Sequence, residues 1–434
     1  MSGISSQSIK AVLAGEYGIE CRRITRLTGE NENYLIQSAD GRESVLKFAG
    51  ADQNSESIEL ENVSIEQASR ASVGLDLPRF IPTGKGRIEA TVHLDDGQTV
   101  SARLTEYVAG TSWCDAMPVG QPQARDLGRT LAKLDLELAK VTTHLIRRTH
   151  RWDLTKASQH RRVASLIGDT KRRRIFEWYF QLYSACALPF FKNLPHTLIH
   201  NDANDENVLL RDGEIAGLLD FGDCLYNPTV CEVAIAIAYA MLDQPDPLPI
   251  GAALLSGYYS ERRLSPEEIA VIYPLICGRW CVTVAVAAER RQIDPDHPDW
   301  FVTEERAWRS LERFTQIEPY DATKALTARI PTKAAGPRRA TAADMIEKRN
   351  QHISGTLSVA YEKPLIIVRG RGQFLHDNRG RPFLDLVNNV CHVGHCHTRV
   401  AAAGQKQMAR LNTNTRYLYP ELSDYAERIC AKLP

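Results

Sequence analysis

The sequence predicts an α+β chain in which a small strand-rich lobe precedes a larger helical one, with a linker and a second, smaller unit behind them. Three observations carry this expectation. Up to Tyr107, short apolar runs alternate with turn dipeptides; from Pro122 onward, apolar residues recur at helical spacing. Between Ala322 and Lys348 both patterns dissolve, and Arg329, Lys333, Arg338 and Arg339 sit among Pro331, Gly336, Pro337 and several alanines. That is a linker composition.

The elements follow in order. Residues 22–27, 34–38 and 44–48 read as strands, separated by Gly29 and by Asp40-Gly41, a hairpin dipeptide. Residues 56–71 have helical spacing, with Ile58, Val63 and Ile65 among charged positions. Residues 87–92 and 98–107 pair around Asp95-Asp96-Gly97 as a further hairpin. In the helical part Leu127, Leu131, Leu134 and Leu138 share one face, and residues 175–188 and 269–289 form further apolar helices. The boundaries drawn from this are 1–321 for the first domain, 322–345 for the linker and 346–434 for the second unit. In that unit residues 361–369 and 373–376 read as strands and 399–411 as a helix. It is small by core-size arithmetic.

Composition excludes several classes. The 434 residues, 43% hydrophobic and 24% charged, leave room for two or three domains at about 150 residues each. With 53 basic and 53 acidic side chains, no global field draws the chain to nucleic acid or to an anionic membrane. Residues 1–20 lack the charged-then-apolar layout of a signal peptide. No apolar run is expected to reach the ~18 residues of a bilayer span, the longest candidate, residues 230–242, being interrupted by Glu232. Ten cysteines at irregular spacing read as buried thiols rather than a disulfide framework. A reduced, cytoplasmic protein is expected.

The strongest signal is His200-Asn201-Asp202-Ala203-Asn204-Asp205-Glu206-Asn207, followed by Leu218-Leu219-Asp220-Phe221-Gly222-Asp223. Phosphoryl transfer needs a carboxylate that orients the attacking hydroxyl and accepts its proton, and oxygen ligands for the Mg2+ that neutralises the triphosphate. Asp202 supplies the catalytic carboxylate; Asn207 and Asp220 supply the metal ligands, with residues 208–219 as the hairpin between them. Lys47, closing the run Val45-Leu46-Lys47-Phe48, is placed to reach nucleotide phosphates, and Glu61 on the next helix to pair with it. Gly29 lies at the position of a phosphate loop, within Gly29-Glu30-Asn31-Glu32-Asn33-Tyr34, which is not a Gly-x-Gly-x-x-Gly pattern. Asn201 stands where protein kinases carry an arginine, and the helix from Val230 follows Asp220 too closely for a long activation segment. Small-molecule phosphotransfer fits better than protein phosphorylation.

Residues 27–313 resemble the aminoglycoside phosphotransferase and choline kinase superfamily, and within it the hydroxylysine kinases. The matching stretches are His200 to Asn207, Leu218 to Asp223 with Tyr226, Glu232-Val233-Ala234-Ile235 with Tyr239, Trp152-Asp153-Leu154, Leu134-Asp135, and the pair Cys277 and Cys281. The resemblance implies a two-lobed protein-kinase-like fold, with a small β-rich N-lobe and a larger helical C-lobe. It also implies Mg2+-dependent transfer of the γ-phosphate of ATP or GTP to the hydroxyl of an amino alcohol, of the hydroxylysine or ethanolamine type. Choline, homoserine and aminoglycosides are the alternative acceptors. The hinge Thr105-Glu106-Tyr107-Val108 would hold the nucleotide base through its backbone. A cationic amine calls for carboxylates or an aromatic face, and Asp223, Glu232 and Trp152 are the candidates.

In the second unit, Cys391-His392-Val393-Gly394-His395-Cys396-His397 suggests a metal site, but no further ligand pair at zinc-finger spacing follows. Asp385 to His397 and Leu411-Asn412-Thr413-Asn414-Thr415-Arg416-Tyr417 resemble the N-terminal segment of class III aminotransferase-fold enzymes, close to their phospholyase subgroup. This makes the Cys/His run a family loop and the unit a partial PLP-dependent transferase fold. The lysine, carboxylate and phosphate cradle that pyridoxal phosphate needs would lie beyond Pro434, so the cofactor is expected only in a full-length second domain. The chain is then expected to be a fragment, with homodimerisation through the aminotransferase-like unit as the implied assembly.

Two rival readings differ in class. Arg147-Arg148, His150-Arg151, Arg161-Arg162 and Lys171 to Arg174, near Trp152 and Trp178, form a basic stretch that could hold nucleic acid. Asp153, Asp169 and Glu177 interleave it, as on a solvated helical face. A pseudokinase-like binding module would lack the base or a metal ligand, whereas Lys47, Asp202, Asn207 and Asp220 are all present.

Overall fold

Residues 1–20, to which sequence patterning assigns no element, open with a helix. α1 (Ser6–Tyr17) is capped by the Ser5 side chain and stopped by Gly18 at φ 64°. Ile9, Val12 and Leu13 bury its inner face in the core of the small lobe. The structure, a computed structural model, describes every residue except 1–3, 28–31, 50–54, 71–73, 94–96, 98, 143–149, 298–299, 332–340, 379–380, 388–391 and 434.

β1 (Cys21–Arg26), β2 (Asn33–Ser38) and β3 (Glu43–Phe48) form the expected antiparallel meander, with Gly41 at φ 86° in the turn between the last two. α2 (Ser55–Arg70) follows, then β4 (Phe80–Ile81), β5 (Glu89–His93) and β6 (Thr99–Glu106). Together they make a six-stranded sheet in the order β1-β2-β3-β6-β4, with β5 also paired to β6. Alternation along β3 buries Ser44, Leu46 and Phe48 on one face and sends Lys47 to the other.

The helical lobe begins after β7 (Thr111–Ser112) with α3 (Gln121–Leu138), whose four expected leucines are all buried. A 3-10 stretch (Leu154–Leu166) and α4 (Thr170–Cys186) come next. Then β8 (His196–Ile199), β9 (Val208–Arg211), β10 (Glu214–Leu218) and β11 (Leu225–Pro228) carry the acidic loops. The lobe is completed by α5 (Val230–Ala240), α6 (Pro247–Glu261), α7 (Pro266–Arg290), α8 (Glu304–Phe314) and α9 (Pro319–Thr327). Where α3 and α6 cross, the backbones touch through two glycines. A Cβ on Gly128 would stand 2.0 Å from the carbonyl oxygen of Leu254, and one on Gly257 would stand 1.9 Å from that of Arg125.

Two expectations need correcting. By length and composition α7, expected as an apolar helix over residues 269–289, is apolar enough to cross a bilayer, so residues 230–242 are not the longest candidate. In the structure 89% of its apolar window is buried inside the fold, as in a core helix. The expected linker 322–345 is also too long. α9 runs through its start, with Ala322, Leu326 and then Ile330 buried in the main core. Alanine and isolated leucine four residues apart are a weak apolar signal among so many charges and prolines.

The chain divides into two compact units, 1–335 and 336–434. The second starts with α10 (Ala342–His352), earlier than residue 346, under a reciprocal cap between Thr341 and Asp344. β12 (Ile367–Arg371), β13 (Phe374–Asp377) and β14 (Pro382–Leu384) form an antiparallel sheet, followed by α11 (Thr398–Arg410) and α12 (Pro420–Cys430). The strand expected from residue 361 begins only at Ile367. Of the Cys/His run, Cys391 lies outside the described residues. His395 exchanges backbone hydrogen bonds with Gly372, and its Nε2 lies 2.7 Å from an Asp385 carboxylate oxygen. Among the described cysteines Cys224, Cys231, Cys277 and Cys281 are buried as expected, whereas Cys396 and Cys430 are exposed.

Candidate active site

Strand pairing brings the two acidic loops together. The loop of residues 200–207 joins β8 to β9, and the loop of residues 219–224 joins β10 to β11. β9 pairs antiparallel with β10, and β8 pairs antiparallel with β11, so both loops are held at both ends. The Leu219 N–H donates to the Asn207 carbonyl at 2.9 Å, tying one loop to the other. Asn201 and Asp220 adopt φ 66° and 53°, left-handed conformations that Asn and Asp tolerate better than most residues.

Five of the six expected residues meet here; Gly29 lies outside the described residues. Lys47 Nζ donates to Glu61 Oε1 at 3.0 Å and to Asp220 Oδ1 at 2.8 Å. Glu61, 3% exposed, uses its other oxygen to accept from Arg103 Nη2 at 2.9 Å. Burial disfavours the Lys47 ammonium, but Asp220 and then Glu61 outweigh it and raise its pKa. The same pair pulls the Asp220 carboxyl down to about 2, Lys47 being the main cause. Asp202 Oδ2 accepts from the side-chain amides of Asn204 and Asn207, each at 3.0 Å. Burial pushes the Asp202 carboxyl up, with Asp223 and Asp220 adding to it and the guanidinium of Arg279 opposing. A raised carboxylate suits a base working near neutral pH.

Arg279, Asn204, Arg306 and His200 were not assigned site roles from sequence. Arg279 Nη2 donates to Asp202 Oδ1 at 2.8 Å. The signal for it was present: it is the lone charge between Val271 and Ala288, and a charge in a buried helix requires a partner. Asn204 Oδ1 accepts from the N–H groups of Glu206 and Asn207, both at 2.8 Å, shaping the loop as an Asx turn. Arg306 on α8 bridges Asp205 and Asp243 at 2.5 Å each.

His200 is fully buried, and burial pushes its ring down to about 4. Neutral, its Nε2–H donates to the Leu219 carbonyl at 2.9 Å while Nδ1 accepts from the Asp202 N–H at 3.3 Å. An unfolded histidine titrates near 6.5. Between that value and about 4 the unfolded chain binds a proton that the native chain refuses, so stability is lost as pH falls through this window. The loss reaches about 3 kcal/mol at its lower end. Urea denaturation between pH 7 and 4.5 is expected to show this slope, and His200→Gln to flatten it; an equal slope in both proteins would refute the assignment.

Two of the three residues expected to meet a cationic amine are otherwise engaged. Glu232 has no exposed surface and accepts from the Asn201 N–H at 2.7 Å, bracing the acidic loop from α5. Burial pushes its carboxyl up to about 7. The Trp152 ring carries two guanidinium groups, Arg279 at 4.9 Å and Arg290 at 5.7 Å from its centroid. Asp223 stays partly open at 21% side-chain exposure, with His150 Nε2 3.3 Å away. In the basic stretch, Arg172 pairs with Glu305 and Glu312 and Arg173 donates to the Ile167 carbonyl, while 147 and 148 lie outside the described residues.

The oxygen set suits a hard cation. Asn207 donates through Nδ2, which leaves its Oδ1 for a metal, and Asp220 Oδ1 is engaged by Lys47 and the Gly222 N–H, which leaves Oδ2. Among the described residues no group of three or more His, Cys, Asp or Glu converges. Mg2+ is commonly held by one or two protein oxygens plus phosphate and water, so the pair is sufficient.

A lysine-bearing antiparallel sheet, a helical lobe and an Asp/Asn loop facing a second Asp define a kinase-type phosphotransferase. The chain belongs to the phosphotransferase enzyme family, whose model matches residues 23–266. Hydroxylysine kinase of Bos taurus is 26% identical over 336 residues, covering 71% of this chain and 89% of that protein. A microcompartment-associated aminopropanol kinase shares the fold with a TM-score of 0.59 at 18% identity, over 74% of this chain and 100% of that one. The C-terminal part is similar to the alanine--glyoxylate aminotransferase 2-like protein of Drosophila melanogaster. The two are 47% identical over 92 residues, 21% of this chain and 19% of that protein. The chain therefore joins a phosphotransferase to a segment spanning about a fifth of an aminotransferase-class relative.

Proposed function

We propose that the first unit transfers the γ-phosphate of ATP or GTP to the hydroxyl of an amino alcohol of the hydroxylysine or ethanolamine type. The observation that carries this is Asp202, held at both carboxylate oxygens beside Asn207 and Asp220. Asp202 orients the acceptor hydroxyl and takes its proton as that oxygen bonds to the γ-phosphorus and the bridging oxygen leaves with the nucleoside diphosphate. Lys47, aligned by Glu61, holds the donor phosphates. Asn207 and Asp220 hold Mg2+, which supplies charge neutralisation on the triphosphate when bound. The acceptor's ammonium is met by Asp223, the candidate carboxylate that retains exposed surface.

In this reading the kinase domain occupies residues 1–330, the linker is shortened to 331–340, and the second unit belongs to a PLP-dependent aminotransferase or phospholyase. A kinase that phosphorylates an amino alcohol next to an enzyme that eliminates phosphate from the product would perform consecutive steps. The hydroxylysine kinase and aminopropanol kinase relatives support the acceptor class.

The decisive measurement is phosphate transfer by the purified chain to 5-hydroxylysine, ethanolamine, choline and homoserine, with ATP and with GTP. Turnover is expected with hydroxylysine or ethanolamine and to require Mg2+. Nucleotide binding without transfer to any acceptor would instead establish a pseudokinase-like module, and preference for choline or homoserine would move the substrate class.

A further inference from the structure

We propose that Arg279 is a positioning residue for phosphoryl transfer, fixing the Asp202 carboxylate in the one orientation from which Oδ1 receives the acceptor's proton. The inference rests on the function proposed above.

The geometry is specific. Arg279 is 1% exposed on α7. Its Nε and Nη2 donate to the Tyr239 hydroxyl at 3.3 and 3.2 Å, its Nη1 donates to the Trp152 carbonyl at 3.4 Å, and its Nη2 also donates to Asp202 Oδ1 at 2.8 Å. Its central carbon stands 4.9 Å from the Trp152 ring centroid and 5.2 Å from that of Tyr239. A planar fork lying against two aromatic rings and anchored by four hydrogen bonds has little room to swivel, so whatever it donates to is held in turn.

The carboxylate is correspondingly constrained. Oδ2 accepts from both Asn204 and Asn207, which fills its two lone pairs. Oδ1 accepts from Arg279 alone among the described residues, so one lone pair remains, and it lies on the atom that Arg279 holds. The acceptor hydroxyl therefore donates to Oδ1. Asn207, a proposed Mg2+ ligand, fixes the other oxygen, so Arg279 and Asn207 together set the plane of the base relative to the metal site.

The test uses the full chain, the acceptor that wild type phosphorylates, and the variants Arg279→Gln, Arg279→Lys and Tyr239→Phe. Misplacing a reacting group by about 1 Å can cost 10²-fold in rate. Arg279→Gln is therefore expected to lower kcat by about that factor while both KM values stay within about threefold. Arg279→Lys restores charge without the fork and should recover part of kcat. Tyr239→Phe keeps the guanidinium but removes its edge anchor, and should lower kcat by about tenfold with KM unchanged. Should Arg279→Gln fail to bind Mg2+-nucleotide in a thermal-shift titration, Tyr239→Phe, which retains charge and volume, decides alone. A kcat within threefold of wild type in the Gln variant, or in Tyr239→Phe when it decides, overturns the inference, as does a proportional rise of both KM values. Absence of transfer by wild type to any acceptor overturns the functional reading itself, a different result from active wild type with an indifferent Arg279.

Discussion

Asp202→Asn is expected to lower turnover by about 10²–10⁴-fold while nucleotide affinity is preserved. The substitution keeps volume and one carbonyl oxygen but removes the proton acceptor. It also turns an amide donor toward existing donors, either Arg279 on one side or Asn204 and Asn207 on the other. Lys47 and Glu61 touch neither Asp202 oxygen, so the hold of Lys47 on the donor phosphates is undisturbed. Steady-state turnover beside a nucleotide titration checks this; activity within tenfold of wild type would show that another group takes the proton.

The second large effect concerns the fold. Gly257→Ala places a Cβ 1.9 Å from the Arg125 carbonyl oxygen and 2.8 Å from its carbon. Because the obstacle is helix backbone, α3 and α6 must separate, and the cost is expected to be at least the upper end of overpacking, about 3 kcal/mol. Gly128 faces the reciprocal obstacle, so relief cannot come from the partner helix. Thermal unfolding of the first unit, residues 1–335, should fall by roughly 4 °C or more. Gly15→Ala on α1, where nothing lies within 4 Å, serves as the control and should be neutral or slightly stabilising. A Gly257→Ala midpoint equal to that control would refute the close crossing.

Much of this was legible in the sequence because local patterns and site chemistry agreed. The strands of the small sheet lie between recognisable turns, and the leucines of α3 keep strict helical spacing. The acidic loops are short enough that a hairpin alone brings Asn207 near Asp220. What escaped depends on distant packing. Arg279 and Asp202 are 77 positions apart, and nothing in local spacing says which buried acid receives the arginine. Glu232 and Trp152 read as substrate ligands because their residue types suit a cation; the fold instead gives one to the Asn201 amide and the other to two arginines. α1 has only short local signals, the Ser5 cap, Gly18 and the Ile9-Val12-Leu13 spacing, and its place in the small lobe depends on packing against the sheet.

β8 with β11, and β9 with β10, close the segment 196–228 on itself, and the exposed hairpin tip Asp212-Gly213, at φ 54° and 79°, points away from both loops. The covalent link at the tip is thus dispensable to the geometry of Asp202, Asn207 and Asp220, which the ladders hold from the other end. A circularly permuted chain could place its new termini there.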